Sequence, residues 1–139
     1  MYNYQYPRAA LTTDAIVFVK EKKFTFILLI KRGGEPFKNQ WALPGGFIEM
    51  DETLATACKR ELLEETGLVL NKMTQFKTYD SINRDPRHRT ISVAYSAELD
   101  VKKEVKGGDD AVKAEWFPID NLPELAFDHQ QIIEEFFSI

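Results

Sequence analysis

One segment, Gly46 to Leu68, constrains this chain more than any other. It reads GFIEMDETLATACKRELLEETGL, and its stretch from Leu54 to Thr66 is predicted to be helical. At roughly 100° per residue, Glu61, Glu64 and Glu65 fall within a sector of about 100° on one face of that helix. Like charges at these spacings each destabilise a helix by about 0.2 to 0.5 kcal/mol. The three carboxylates therefore favour a hard divalent cation, which binds oxygen ligands.

A solvated acidic face is the common explanation for a run of glutamates on a surface helix, and two features here argue against it. Arg60 lies beside the acidic sector, where it can pair with Glu64 at i+4 or with the earlier Glu52. The pattern G-x5-E-x7-R-E-U-x-E-E-x-G-U, where U is a bulky aliphatic residue, is met at every specified position. Ordinary composition would produce it by chance at fewer than about one in a hundred million starting positions.

This pattern is the Nudix box, and the chain resembles the Nudix hydrolases. The resemblance implies an α/β fold, specifically an α/β/α sandwich around a mixed β-sheet. It also implies hydrolysis of a nucleoside diphosphate linked to another group, with Mg²⁺ or Mn²⁺ as the cofactor. It assigns four metal ligands, which are the carboxylates of Glu61, Glu64 and Glu65 and the backbone carbonyl of Gly45. It assigns Glu52 and Arg60 to a pair that fixes the helix against the preceding loop.

The box leaves the general base open. In the family a carboxylate on a loop outside the box often activates water, and Gly107-Gly108-Asp109-Asp110 is the best matching loop here. Its glycines allow a close approach, so Asp109 or Asp110 can reach the acidic cluster. A plain acidic turn explains the segment equally well, and a box glutamate is a further candidate base. We assign Asp110 to the catalytic set.

Length, charge and cysteine content set the broad class. At 139 residues the chain is expected to form one domain, residues 1–139. A net charge of -4 argues against a general nucleic-acid grip. The sequence contains neither a long apolar run nor a signal-peptide pattern at its start, and its one cysteine, Cys58, suits a reducing cytoplasm. We interpret Cys58 as a small core residue on the box helix.

Hydrophobic patterning predicts where the other elements lie. β-rich runs separated by turn residues predict five strands and a last helix. The strands are expected at Ala15–Val19 and Phe24–Ile30, which form a hairpin, and at Met73–Tyr79, Thr90–Leu99 and Lys113–Pro118. Asp128 is predicted to cap the last helix, which extends through Phe137.

The segment Arg84-Asp-Pro-Arg-His-Arg-Thr-Ile-Ser92 points to a substrate. Arg84, Arg87 and Arg89 surround a proline turn and can hold phosphates or a ribose bidentately; surface charge balanced by nearby aspartates is the alternative. This segment, with Gly108–Ala111 and Leu125–His129, resembles the ADP-ribose pyrophosphatase branch of the family. That resemblance implies hydrolysis of ADP-ribose to AMP and ribose 5-phosphate. Arg32 is assigned to the same substrate-binding set, and three aromatic residues are candidates to stack on adenine, namely Phe37, Trp41 and Tyr79.

Two alternatives remain open at this point. Another Nudix substrate is possible: NADH, a dinucleoside polyphosphate or an oxidised nucleoside triphosphate. A non-catalytic ADP-ribose sensor is the second; the intact acids and a length that leaves no room for an attached DNA-binding domain argue against it. The expected partner is a small-molecule nucleotide, without nucleic acid or membrane. The resemblance makes a homodimer one alternative, since branch members are often homodimers. The aromatic segment Tyr2 to Pro7 can pack on such a partner or equally on its own sheet, so the sequence leaves the oligomeric state open.

Overall fold

The first strand is buried on both faces, which dictates the layering of the molecule. In the computed structural model, which describes residues 2–139, β1 spans Ala10–Glu21, and eight consecutive residues of it are buried. Successive side chains of a strand point to opposite faces. Ala15 and Val17 pack into one hydrophobic cluster, and Ile16 and Phe18 pack into another. A strand buried in this way requires a covering layer on each side of the sheet.

The sheet has seven strands and is mixed. The other six are β2 (Phe24–Arg32), β3 (Trp41–Ala42), β4 (Gly45–Phe47), β5 (Thr74–Tyr79), β6 (Thr90–Leu99) and β7 (Ala111–Pro118). The main order is β3-β2-β1-β6-β5, and β4 pairs with β1 while β7 pairs with β2. β1 and β6 run parallel, and the remaining pairs run antiparallel.

Two helices cover the two faces. Helix α1 (Leu54–Thr66) is capped at its start by Thr53, whose hydroxyl accepts from the Thr56 N–H. It is capped at its end by Gly67, which adopts the left-handed conformation. Helix α2 (His129–Phe137) covers the other face with Ile132 and Ile133. Between residues 2 and 139, neither helix has the length and apolar character needed to cross a membrane. The predicted α/β/α sandwich is confirmed.

Helix α1 buries its apolar side against β1, β2 and β6. Cys58 and Leu62 are fully buried beside Val17 and Leu28. Burial raises the pKa of the Cys58 thiol to about 12, so it stays protonated and unreactive. This agrees with the interpretation of Cys58 as a core residue.

Most element predictions are confirmed, with shifted ends: β5 begins at Thr74, and β7 begins at Ala111. Two short strands, β3 and β4, were not predicted, because two or three residues beside Pro44 carry no usable periodicity. The prediction that the Asp128 side chain caps α2 is wrong. Asp128 precedes the helix but its side chain caps no N–H, because both of its oxygens accept from Arg84.

The packing of α1 predicts a sharp contrast between two neighbouring leucines. Leu62 is fully buried, whereas Leu63 is 46% exposed. Leu62→Ala is expected to lower the free energy of unfolding by about 2 to 5 kcal/mol through lost burial and a new cavity. Leu63→Ala, the matched control on the same helix, is expected to change it by less than about 1 kcal/mol. Urea denaturation followed by circular dichroism measures both, and equal losses would contradict this packing.

Candidate active site

A cleft of about 520 Å³ opens where the box meets the sheet. The box side comprises β4 and α1, with Gly45, Gly46 and Glu65 in its lining. Residues of β1 and β2, of the loop before β6 and of the segment before α2 line the rest. These latter residues include three of the four predicted substrate arginines, which are Arg32, Arg84 and Arg87.

The two glycines at the box entry allow close approaches, by a backbone at Gly45 and by a side-chain carboxylate at Gly46. A Cβ on Gly45 would lie 2.0 Å from the Thr13 carbonyl oxygen, because β4 pairs closely with β1 at this point. A Cβ on Gly46 would lie 2.7 Å from the Glu61 carboxyl carbon. The Gly45 N–H instead donates to Glu65 Oε1 at 2.8 Å. The entry strand therefore brings its backbone against two box carboxylates, with no side chain in between.

Arg60 binds both partners that the sequence left open. Its guanidinium pairs bidentately with Glu52, Nε to Oε2 at 2.6 Å and Nη2 to Oε1 at 2.9 Å. Its Nη1 lies 2.8 Å from Glu61 and 3.3 Å from Glu64. Nη2 also donates to the Phe47 carbonyl at 3.1 Å. Arg60 thus ties the loop to the helix and lies among the acids that are predicted to bind metal.

The buried acids strongly disfavour negative charge. Glu65 is 5% exposed, and burial, helped by the charges of Glu61 and Asp110, raises its pKa to about 8, although the Gly45 N–H and Arg32 oppose the shift. Burial also raises the pKa of Glu61, and Glu64 adds to the effect while Arg60 opposes it. A bound divalent cation reverses such shifts because it stabilises the ionised carboxylates.

The donor chemistry fits a hard divalent cation. Within the part of the chain that the structure describes, no three His, Cys, Asp or Glu side chains are gathered to hold a metal ion as they stand. Arg60 instead occupies the position between Glu61 and Glu64. The side chains beside Gly45 and Gly46 that can bind a cation are the carboxylates of Glu65 and Glu61, which are oxygen donors of the type that Mg²⁺ and Mn²⁺ select.

The glycine-aspartate loop lies against the box helix. A Cβ on Gly108 would be 2.6 Å from the Glu64 carbonyl oxygen, so this glycine permits the contact with the end of α1. Asp110 lines the cleft, and its charge acts on Glu65. Both aspartates are exposed, but Asp109, with a φ of 52°, is not in the cleft lining, although its charge helps to raise the pKa of Glu61. The structure therefore brings Asp110, rather than Asp109, into the cleft with the acids.

The four predicted arginines do not form one group. Arg32 and Arg87 line the cleft, and Arg87 pairs with the buried Asp85. Arg84 also lines the cleft, but its Nε and Nη2 both donate to Asp128. Arg89 lies outside the cleft lining. Its Nη1 donates to the carbonyls of the loop that precedes β6, so the structure does not place Arg89 with the other substrate residues.

A buried polar network supports this side of the cleft. The Leu43 N–H donates to His129 Nδ1 at 3.0 Å, so the ring proton resides on Nε2, which lies 3.3 Å from Asp14 Oδ1. Ser92 Oγ donates to the other Asp14 oxygen, and Arg84 lies 4.0 Å away. Burial opposes ionisation of Asp14, yet His129, Ser92 and Arg84 together hold its pKa below the ordinary value. His129 is therefore a packing and positioning residue.

The aromatic residues at the cleft differ from those proposed to stack on adenine. Tyr79 packs in the core and donates to Glu135, and Trp41 packs against Phe117. Phe37 packs edge-on against Phe127. The rings that line the cleft are Phe47 and Phe127, which sequence reasoning missed. Phe127 lies inside the Leu125–His129 match, but no periodicity indicates where its ring points.

Comparisons with known proteins place this chain in a family. A family model described as NUDIX domain matches residues 9–136. An ADP-ribose pyrophosphatase of Methanocaldococcus jannaschii is 44% identical over 131 residues, which cover 94% of this chain and 75% of the relative. An ADPR responsive transcriptional repressor, NtrR, of Acinetobacter baylyi is 33% identical over 137 residues, which cover 96% of this chain but only 55% of the relative. The chain thus spans about half of that repressor.

A solved structure gives the same picture in three dimensions. The NUDIX domain of Shewanella oneidensis NrtR, complexed with ADP ribose, superposes with a TM-score of 0.90 at 31% identity. The alignment covers 99% of this chain and 92% of that chain. The similarity therefore extends over the sheet, both helices and the loops that line the cleft.

The raised pKa of Glu65 predicts how the stability of the metal-free protein depends on pH. A glutamate titrates near 4.5 in the unfolded chain but Glu65 titrates at about 8 in the fold. Between these values the folded state holds the extra proton, so this group makes the free energy of unfolding fall as the pH rises from about 5 to 8. Glu65→Gln cannot titrate and therefore lacks this fall. As the pH rises through that window, the free energy of unfolding of the variant is expected to increase by up to about 5 kcal/mol relative to that of the unsubstituted chain.

Urea denaturation in EDTA at pH 5 and pH 8 measures this difference. Glu98→Gln, an exposed glutamate on β6, is the matched control and is expected to leave the pH dependence unchanged. A pH dependence that is the same in Glu65→Gln and in the unsubstituted chain would show that Glu65 does not hold a proton in the fold.

Proposed function

This chain belongs to the NUDIX domain family and is a Nudix pyrophosphohydrolase, and we propose that its substrate is ADP-ribose, cleaved to AMP and ribose 5-phosphate. The observation that carries the proposal is a single cleft lined by two of the box acids, Glu61 and Glu65, and by the arginines Arg32, Arg84 and Arg87. A diphosphate is an anion that needs cations on both sides. The arginines supply one side, and the acids supply the other once they hold a metal ion.

Mg²⁺, or alternatively Mn²⁺, is the proposed cofactor. Glu61, Glu64 and Glu65, with the Gly45 carbonyl, would hold it, and Glu52 acts through Arg60 to position the helix. A divalent cation held there supplies charge neutralisation for the diphosphate and activates water. The chain itself orients the substrate through the arginines. The buried polar network around Asp14 fixes the wall of the cleft beneath them.

Asp110 is the proposed general base. It lines the cleft, it acts electrostatically on Glu65, and its loop packs against the end of α1. The box glutamates are committed to the cation in this scheme, so a carboxylate outside the box is left to accept a proton from water.

The adjacent aspartates provide a matched pair to test that role. Asp110→Asn is expected to lower kcat by about 100-fold or more with little change in KM, because the amide cannot accept the proton. Asp109→Asn removes a likewise exposed charge that acts on Glu61 from outside the cleft lining, and asparagine tolerates its backbone conformation, so this variant is expected to stay within about threefold of the unsubstituted enzyme. Steady-state kinetics on both variants decides, and equal losses would remove Asp110 from the catalytic set.

The substrate is tested with a panel of ADP-ribose, NADH, NAD, diadenosine polyphosphates and 8-oxo-dGTP. Phosphate released by alkaline phosphatase from the products reports turnover with and without Mg²⁺. ADP-ribose is expected to give the highest kcat/KM. Glu65→Gln is expected to lower kcat by at least about 100-fold, while Glu98→Gln is expected to leave it unchanged. A different leading substrate would keep the box chemistry but overturn the assignment of ADP-ribose.

A sensor is the second candidate, since one 33% identical relative is an ADPR responsive transcriptional repressor. The same panel separates the two. Binding of ADP-ribose without turnover, with or without metal, would favour a sensor. The expectation that this chain binds no nucleic acid stays a prediction, as does the cytoplasmic location, and the homodimer stays an alternative.

A further inference from the structure

The backbone of Phe127 is strained at the edge of the cleft. Its φ is 53°, a left-handed conformation that is unfavourable for a bulky residue and costs of the order of 1 kcal/mol. Its neighbours on both sides are fixed. The Ala126 N–H donates to the Trp41 carbonyl at 2.8 Å, the Asp128 carboxylate is held by Arg84, and the His129 ring is held by the Leu43 N–H. The surrounding contacts therefore impose the conformation of Phe127.

That conformation places the Phe127 ring beside two guanidinium groups. Arg32 Cζ lies 5.0 Å from the ring centroid, and Arg87 Cζ lies 5.6 Å from it. Arg87 is also 4.9 Å from the ring of Phe47 across the cleft lining. An aromatic face attracts a cation within about 6 Å, so a single ring holds two like charges near each other.

These two arginines retain unused hydrogen-bond donors. Arg32 uses Nε, which donates to the Pro36 carbonyl, and Arg87 uses Nε and Nη2, which donate to Asp85. The two terminal nitrogens of Arg32 and Nη1 of Arg87 have no acceptor among residues 2–139, and they are not among the buried unsatisfied atoms of that range. They are therefore open to the cleft or to solvent.

Of the three predicted substrate arginines that line the cleft, Arg32 is the one that makes no hydrogen bond to a carboxylate within residues 2–139. Burial, and next the charge of Arg87, hold the pKa of Arg32 below its ordinary value. Arg84 and Arg87 each donate two hydrogen bonds to one carboxylate, which is Asp128 for Arg84 and Asp85 for Arg87. They differ in exposure, because the Arg84 side chain is 4% exposed and the Arg87 side chain is 34% exposed. Arg84 is thus an anchor of the fold, whereas Arg87 stays accessible and Arg32 has no carboxylate partner among residues 2–139.

We propose that Phe127 is a positioning residue that spaces Arg32 and Arg87 into one binding unit for the diphosphate of the substrate. The inference rests on the proposed function for the identity of that substrate. Three terminal nitrogens on two planar cations, each with two N–H bonds, suit the oxygens of a diphosphate, which Arg binds in a fixed geometry. The strained backbone is explained by this role, because it holds the ring between the two guanidinium groups.

The test measures binding separately from turnover. ADP-ribose, inorganic pyrophosphate and adenosine are titrated by calorimetry in EDTA. Phe127→Leu keeps an apolar side chain but removes the aromatic face, and it is expected to weaken binding of ADP-ribose and of pyrophosphate by about tenfold. Binding of adenosine, which has no phosphate, is expected to change by less than twofold. With Mg²⁺ the KM for ADP-ribose is expected to rise about tenfold, while kcat stays within about threefold.

Two control variants separate positioning from general damage. Phe127→Tyr keeps the aromatic face and is expected to restore binding to within about twofold. Phe24→Leu alters an exposed phenylalanine on β2 and is expected to change nothing. Arg87→Gln removes one of the two guanidinium groups, while the backbone N–H of residue 87 still donates to the buried Asp85, and circular dichroism checks that the variant is folded. It is expected to weaken pyrophosphate binding about tenfold, and its combination with Phe127→Leu is expected to be less than additive.

The outcomes distinguish this inference from the proposed function. Equal weakening for adenosine and pyrophosphate, a fall in kcat without a change in KM, or full additivity with Arg87→Gln would each overturn the role of Phe127. Binding of ADP-ribose without hydrolysis would instead overturn the proposed function. The pyrophosphate titrations would still test the positioning role of Phe127.

Discussion

Mutual repulsion among carboxylates in one partly buried cleft is the constraint on which the rest of this structure depends. Glu65 is almost fully buried, and the charges of Glu61 and Asp110 add to the burial that raises its pKa. Such a group needs either a proton or a nearby cation. The fold offers a backbone N–H from Gly45 and two arginines: Arg60 contacts Glu61, and Arg32 acts on Glu65. Each of these partners comes from a different element, so satisfying the acids organises the cleft.

Contacts to a buried carboxylate also organise the opposite side of the cleft. Asp14 lies on the central strand and pairs in register with Gly45, so it belongs to the framework of the box. It also accepts from Ser92 and lies beside His129 and Arg84. Through Asp14 the loop before β6, the start of α2 and the turn before β4 share one set of buried polar contacts. A buried network that is satisfied in this way fixes a geometry, because each unmade bond would leave a costly polar group.

The sequence predicts the fold and the box well, for reasons that can be stated residue by residue. The apolar run that contains Ala15, Ile16 and Val17 indicates a strand by itself. That both faces of this strand are buried is understood only once the two covering helices are known. The placement of the three box glutamates on one face of α1 is predicted by their helical spacing. The arginine loop shows the limit: Arg84, Arg87 and Arg89 look equivalent in sequence. Asp128, 44 residues further along, binds the first, and local backbone carbonyls bind the last.

Phe127 shows the same limit more sharply. Its ring is directed by a left-handed backbone, and that backbone is imposed by contacts with β3 and with the turn that follows it, far away in sequence. Neither propensity nor periodicity encodes such a residue, since both describe regular elements. The β-branched and aliphatic positions of the sheet are predictable because water exclusion alone decides them. Positions whose conformation is decided by distant polar partners are not.

The division of the cleft into an acidic and a basic side separates two tasks that a nucleotide-binding domain can perform. Recognition of a diphosphate needs only cationic donors, the role proposed for Arg32 and Arg87, which line the cleft from outside the box. Hydrolysis needs in addition the acids that hold a cation and a group that accepts a proton. The acids contribute little to binding until a cation neutralises them, and they repel the substrate before that. A chain that only bound its ligand would gain affinity by losing them. Their retention here, at the cost of a buried glutamate with a strongly raised pKa, is the physical argument for an enzyme.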